Sequence, residues 1–196
     1  RIAQSLEPCE VFIGMSGLYL EAGRTARRRF GALWVLERGS RHILSQKEIL
    51  DELPGAKNER VSDFDVRREM QGYAEADVIA VPSRHVEESF RERGIPPEKL
   101  FRNPYGVDIQ RFVPTPTPEG TPTILFAGGW SYRKGVDILS AAVAQLSGVR
   151  LLHVGAFEGA PVPQAGWFTS LGPVDQRRLP ETMARAHVFA LASRED

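Results

Sequence analysis

The sequence predicts an α/β protein built from two parallel-sheet halves, and three observations predict it. Short apolar runs alternate with helix-forming segments along most of the chain, the rhythm of parallel strands buried between helices. The chain also repeats itself at an offset of 110 residues: 65–83 reads DVRREMQGYAEADVIAVPS and 175–193 reads DQRRLPETMARAHVFALAS. Eight of these nineteen positions match, from Asp65/Asp175 through Ala74/Ala184 and Val78/Val188 to Ser83/Ser193. Each copy reads as a polar helix, an alanine-rich turn and a buried strand ending at serine, so two similar αβ domains facing a shared cleft are expected. Finally, a stretch dense in proline, 95–120, separates the two rhythms. Such density resists regular structure and reads as a semi-rigid crossing between domains.

The elements follow in order. The run 10–15 (EVFIGM) is a buried strand closed by Ser16 and Gly17. Residues 20–30 are helix formers that stop before Gly31, and 33–36 (LWVL) is the next strand. Apolar residues at Ile43, Leu44, Ile49, Leu50 and Leu53 mark a helix stopped by Pro54 and Gly55. Asp63 is the expected cap of a helix reaching about Ala74, and 78–81 is a strand. Ser83 caps a helix over 84–93 that Gly94 ends. Past the prolines the pattern resumes with a strand at 123–127, a helix from about Gly135 to Leu146, and a strand at 149–154. An apolar stretch at 167–171, a helix near 175–186 and a strand at 188–191 complete it. The expected boundary gives an N-terminal domain 1–115 and a C-terminal domain 116–196, both partial.

Bulk properties narrow the function classes. A hydrophobic fraction of 42% and a charged fraction of 26% are those of a globular protein. Formal net charge is zero, which removes any global attraction to nucleic acid. One cysteine, Cys9, excludes an internal disulfide and fits a reducing compartment. No apolar run approaches the roughly 20 residues of a membrane helix, so a cytoplasmic location is expected. Arg24, Arg27, Arg28, Arg29, Arg38 and Arg41 crowd one stretch. They read either as a solvated helix face or as a basic surface for an anionic acceptor, a lipid headgroup or phosphate, with peripheral membrane contact. His85, His153 and His187 suit helix-surface or strand-edge positions, and their spacing supports no metal cluster.

Two segments could carry chemistry. In 124–135, ILFAGGWSYRKG, a buried strand runs into Gly128 and Gly129, then a loop with Arg133 and Lys134 at the mouth of a helix. Glycines let backbone approach a bulky anion, and helix N-termini offer unpaired N–H groups. In 103–112, NPYGVDIQRF, the turn residues read as a structural hinge.

Read together, VIAVPS (78–83), GIPPEKLFRNPYGVDIQRFVP (94–114), ILFAGGWSYRKGVDILSAA (124–142), LLHVG (151–155), SLGPV (170–174) and VFALASRED (188–196) resemble successive blocks of a group 1 (family 4) retaining glycosyltransferase. The resemblance is strong from about Tyr73 onward and looser over 1–60. It implies a GT-B fold of two Rossmann-like domains, a nucleotide-sugar donor, a sugar, lipid or small-molecule acceptor, retention at the anomeric carbon, and neither metal nor cofactor. It assigns Lys134 to the donor diphosphate. The family's companion arginine falls where this chain has Gly129, and Arg133 is the expected substitute. Glu195 or Asp196 falls at a donor-binding carboxylate. Arg38 falls nearest the family's catalytic histidine, with His42 four residues on, and acceptor approach is expected near Gly17, Arg38 and His42. A non-catalytic nucleotide- or phosphosugar-binding module, or a GT-B-like epimerase or phosphorylase, are competing readings. Both domains read as truncated, and sheet edges left open favour pairing with another chain. The expected outcome is concentration-dependent association and no turnover of a nucleotide sugar by this chain, checked by sedimentation and a nucleotide-release assay.

Overall fold

The computed structural model of the chain describes residues 2–53, 55–113 and 115–195. It is an α/β structure with two four-stranded sheets, all pairings parallel. Two compact units hold them: unit 1 comprises Arg1–Leu50 and Arg60–Tyr105, and unit 2 comprises Asp51–Glu59 and Gly106–Asp196.

Sheet 1 has the order β1-β2-β3-β4, from β1 (Val11–Met15), β2 (Leu33–Glu37), β3 (Val78–Val81) and β4 (Leu100–Arg102). The first helix, α1 (Leu20–Phe30), ends at Gly31, whose φ of 68° is the left-handed stop that glycine supplies most readily. It is followed by α2 (Ile43–Asp51), α3 (Asp63–Glu75) and α4 (Arg84–Glu92). On α3 the buried residues Glu69, Gly72 and Tyr73, with Ala76 just past its end, repeat at i, i+3, i+4 and i+7, the stripe of a helix lying on a sheet. Its cap is Ser62 rather than Asp63: the Ser62 hydroxyl accepts the Asp65 N–H at 3.1 Å. Ser83 caps α4 as expected, accepting the Val86 N–H at 3.2 Å.

One expectation needs correction here. The proline-dense stretch contains a strand, β4. Pro97 opens a 3-10 turn, but 100–102 lie between prolines, so their N–H groups remain free to pair with β3 at the edge of the sheet. Of the six crowded arginines, three are paired with acids. Arg24 donates to Glu75 at 2.7 Å, Arg27 pairs with Asp77 at 3.1 Å, and Arg38 pairs with Glu69 at 3.0 Å, so acids of α3 and the residues after it absorb half of the group. Arg28 and Arg29 remain on the exposed face. On the other edge of the sheet, β1 exposes Val11, Ile13 and Met15, alternate residues on one face.

Sheet 2 has the order β7-β6-β5-β8, from β5 (Thr123–Ala127), β6 (Arg150–Val154), β7 (Phe168–Ser170) and β8 (Val188–Phe189), with α5 (Val136–Val143) and α6 (Leu179–Met183). The repeated segments take related forms: α3 leads into β3, and a 3-10 turn with α6 leads into β8. The second helix is short because Pro180 stands where Met70 stands in the first copy. Proline has no N–H to bond backwards, so helix can begin near it but not run through it. Among the described residues no helix is long and apolar enough to cross a membrane.

Each core contains a fully buried histidine. In unit 1, His42 lies 4.9 Å from the Tyr73 ring and 5.0 Å from Phe90, centroid to centroid, while its backbone N–H donates to Ser89 Oγ at 3.0 Å. In unit 2, His153 is enclosed among Phe126, Trp130 and Phe168, which corrects its expected strand-edge exposure. Burial, followed by the nearby Arg93 and Arg38, pushes His42 down to about 4, and burial also lowers His153. Both are neutral at pH 7.

Two outcomes follow from this packing. A methyl group at Gly23 of α1 would overlap the buried Trp34 indole. Gly23→Ala is therefore expected to destabilise by about 1–3 kcal/mol in urea unfolding, opposite in sign to the ~1 kcal/mol gain at an exposed helical glycine. Because His42 takes up a proton more readily unfolded than folded, stability is full above about pH 6.5 and falls as pH drops toward 4. The loss from this residue alone is roughly 3 kcal/mol. His42→Phe should flatten that part of the pH profile, measured by urea midpoints at pH 7, 5.5 and 4.5; an unchanged slope would place the acid sensitivity elsewhere.

Candidate functional site

Sheet 2 reverses its direction of winding at β5. The chain passes from β5 through α5 to β6 on one side, and β8 later pairs with β5 on the other. Parallel α/β sheets bind ligands beyond the carboxyl ends of their strands at such a reversal, because the connections there diverge and leave a crevice. In unit 2 the segment after β5 (128–135) and the segment after β8 (190–195) come together at this point.

The turn out of β5 is fixed from below. The Gly128 carbonyl receives His153 Nε2 at 3.0 Å, and Ser170 Oγ lies 2.9 Å from His153 Nδ1. A carbonyl can only accept, so Nε2 carries the proton and Nδ1 accepts from the serine hydroxyl. Gly155, at φ 145°, has its Cα against the same carbonyl, where a Cβ would overlap it. His153 was not among the expected site residues. Nothing in its spacing marked it, since its role depends on β6 lying beside β5.

Above the turn, two consecutive backbone N–H groups hold one carboxylate. The Tyr132 N–H donates to Glu59 Oε1 at 3.1 Å and the Arg133 N–H to Glu59 Oε2 at 3.0 Å. Side chains and backbone from the segment after β8 buttress the loop. Arg133 Nε donates to Glu195 Oε2 at 2.6 Å, and the Glu195 side chain is completely buried. Arg194 makes a two-pronged pair with Asp137 at 2.6 and 2.7 Å and also donates to the Tyr132 carbonyl at 2.8 Å. That pairing holds the Asp137 carboxyl below the usual range, with Arg194 the largest cause. Gly135, at φ 66°, presses its Cα onto the Ala192 carbonyl, so this start of α5 is covered, which corrects the expectation that the helix N-terminus itself is open to an anion.

The structure thus brings Gly128, Gly129, Arg133, Lys134 and Glu195 together; Asp196 lies outside the described residues. At Gly129 a Cβ would meet the carboxylate of the exposed Glu158 side chain, so a larger residue there requires that side chain to swing aside. Lys134 is half-buried, and its N–H donates to the Ser131 carbonyl at 3.2 Å.

In unit 1, Arg38 and His42 go to different environments. Arg38 leaves the carboxyl end of β2 and donates to Glu69 Oε1 at 3.0 Å, Gln46 Oε1 at 2.7 Å and the Arg41 carbonyl at 3.0 Å. Ser16, at the carboxyl end of β1, hydrogen-bonds Glu69 Oε2. Gly17 has φ 71°, and a Cβ there would lie 2.9 Å from Glu69 Oε1. Arg38, Glu69, Gln46 and Ser16 form a nearly closed polar cluster at the strand ends. His42 faces the aromatic core instead, with no exposed surface for a substrate. Glu69 was missed by the motif reading, although a carboxylate within the apolar stripe of α3 was a visible signal.

No protein-family model and no curated protein matches the sequence. Solved structures do match in fold. Anabaena Alr3699/HepE in complex with UDP and glucose aligns with a TM-score of 0.66 and 17% identity, over 92% of this chain and 52% of that one. A mutant of S. aureus TarM in complex with Fondaparinux, alpha-GlcNAc-glycerol and UDP aligns with a TM-score of 0.68 and 10% identity, over 100% and 40%. The lipopolysaccharide outer core galactosyltransferase WaaB in its apo form gives a TM-score of 0.53 and 15% identity, over 98% and 52%. This chain therefore spans about half the length of these structures or less, and its two parallel α/β sheets are those of the GT-B glycosyltransferase fold.

Proposed function

We propose that the chain is part of a group 1 (family 4) retaining glycosyltransferase that moves a sugar from a nucleotide-sugar donor to an acceptor hydroxyl without a metal. The observation that carries this reading is the carboxylate held by the Tyr132 and Arg133 N–H groups where sheet 2 reverses. Two adjacent amides that grip one oxyanion form a cradle of the kind that binds phosphate oxygens. The fold match supports the same reading, because HepE structures contain UDP or UDP-glucose and the TarM complex contains UDP.

In this proposal unit 2 forms the donor side and unit 1 the acceptor side, so 51–59 and 106–115 fall on the donor side rather than within the expected N-terminal domain 1–115. The donor diphosphate lies against the loop that contains Gly128, Gly129, Arg133 and Lys134. As the glycosidic bond breaks, negative charge builds on the departing diphosphate, and fixed N–H groups with Arg133 and Lys134 stabilise it there. These cations supply the charge that a divalent ion would otherwise bring. Glu195 keeps the Arg133 guanidinium in place, and Asp196 is retained as a donor-side carboxylate. On the acceptor side, Arg38 offers a rigid donor at the carboxyl end of β2, held by Glu69. His42 acts in this scheme as a neutral support for the 38–42 turn. A cytoplasmic location and membrane-face or self-association contacts belong to the same proposal.

The test is calorimetric titration of the chain with UDP, GDP and ADP. One nucleoside diphosphate should bind, and Lys134→Ala should weaken it by roughly tenfold or more, the loss of one charged hydrogen bond. Unchanged affinity would remove Lys134 from the site. Binding by a longer form that never releases nucleoside diphosphate from any nucleotide sugar, with acceptors present, would instead identify a binding module.

A further inference from the structure

Glu59 comes from far away in sequence. It is 73 residues before Tyr132, in a 3-10 turn (Lys57–Glu59), yet the segment Asp51–Glu59 packs as part of unit 2. Two contacts and the burial of Ala56 seat it. The Gly55 Cα lies flat on the Tyr132 ring, where a Cβ would overlap the aromatic carbons. Ala56 is 1% exposed. The Glu59 carboxylate takes both loop amides, while its own N–H donates back to the Ala56 carbonyl at 2.8 Å. Gly55 and Glu59 therefore bracket the loop, one on the Tyr132 side chain and the other on the backbone.

We propose that residues 55–59 are an internal strap that competes with the anionic ligand for this loop, so that the donor diphosphate enters by displacing the Glu59 carboxylate. The proposal rests on the donor-loop reading above and adds its regulation. The two occupants exclude each other. The amides have one N–H each, both already used, and a phosphate oxygen brought to them would meet a like charge at contact distance. A carboxylate four residues from the Gly55 contact on the Tyr132 ring is kept beside the loop and acts at high effective concentration without any partner molecule. A diphosphate brings more charge and more acceptor oxygens, and it can recruit Lys134 as well, so it can win that competition. While the strap is seated, the binding-competent fraction is small and apparent affinity falls by that fraction. An alternative role, Glu59 as a strut that shapes the loop for its ligand, predicts the opposite effect of removing it.

The experiment compares the unaltered chain with Glu59→Gln and Gly55→Ala, each titrated calorimetrically with UDP and separately with inorganic pyrophosphate. Gly55→Ala loosens the strap through Tyr132 and leaves the carboxylate intact, so it reports independently of charge. Amide hydrogen exchange at Tyr132 and Arg133 is followed in parallel. Both variants should bind both anions about tenfold more tightly. In the unliganded Glu59→Gln form, the two amides should exchange faster, and pyrophosphate should protect them again. Equal or weaker binding by Glu59→Gln, with UDP still bound by the unaltered chain, overturns the strap and leaves the donor loop standing. Absence of binding to all three forms overturns the donor-loop reading and the competition together.

Discussion

The carbonyl of Gly128 is the constraint on which the candidate donor site depends. It is held between the His153 imidazole and the Gly155 backbone, and this fixes the direction in which the chain leaves β5. The turn needs glycine at 128 and 155 because their φ values, 155° and 145°, suit no other residue well. The neutral histidine at 153 has one donor and one acceptor, and with them it bridges the carbonyl and Ser170. Burial keeps that ring neutral. The loop that emerges therefore presents the amides of Tyr132 and Arg133 in one direction rather than folding back on itself.

Charge in this protein is mostly spoken for. Arg133 meets Glu195, Arg194 meets Asp137, and the loop amides meet Glu59. In unit 1, Arg38 meets Glu69 inside a cluster where little solvent reaches. A buried ion pair adds little net stability, because desolvation offsets most of the attraction, but removal of one partner costs several kcal/mol. Such pairs specify where a guanidinium points. A guanidinium whose position is already fixed loses less entropy when it meets a developing charge. A loop whose amides are already occupied must be opened first. In the proposed donor site, the first arrangement prepares a contact and the second withholds one.

Much of the fold was legible in the sequence. The limits of α1, the Ser83 cap and the strands β1, β2, β3, β5 and β6 follow from apolar runs, glycine stops and hydroxyl caps, all signals carried within a few neighbouring residues, whereas β7 read only as an apolar stretch and β8 is shorter than the expected 188–191. The strand β4 was hidden because prolines on either side of 100–102 dominate the local composition. The short second helix was hidden because the repeat suggested α3's length, while Pro180 set the actual start. Of the candidate site, the glycines and the basic pair were legible from 124–135 alone. His42 was misleading: its neighbours are polar, yet its ring is turned into the aromatic core.

By itself, the sequence determined the alternation of strand and helix, the two parallel halves and the glycine turn with Arg133 and Lys134, because each depends on contacts within a helical turn or a strand. Only the tertiary structure decided what those groups touch. Glu59 reaches the loop across 73 positions, Glu195 reaches Arg133 across 62, and Glu69 reaches Arg38 across 31. No local periodicity encodes such pairings. They exist because neighbouring strands and packed segments bring distant backbone into register, and burial then makes an unpaired charge too costly to leave in place.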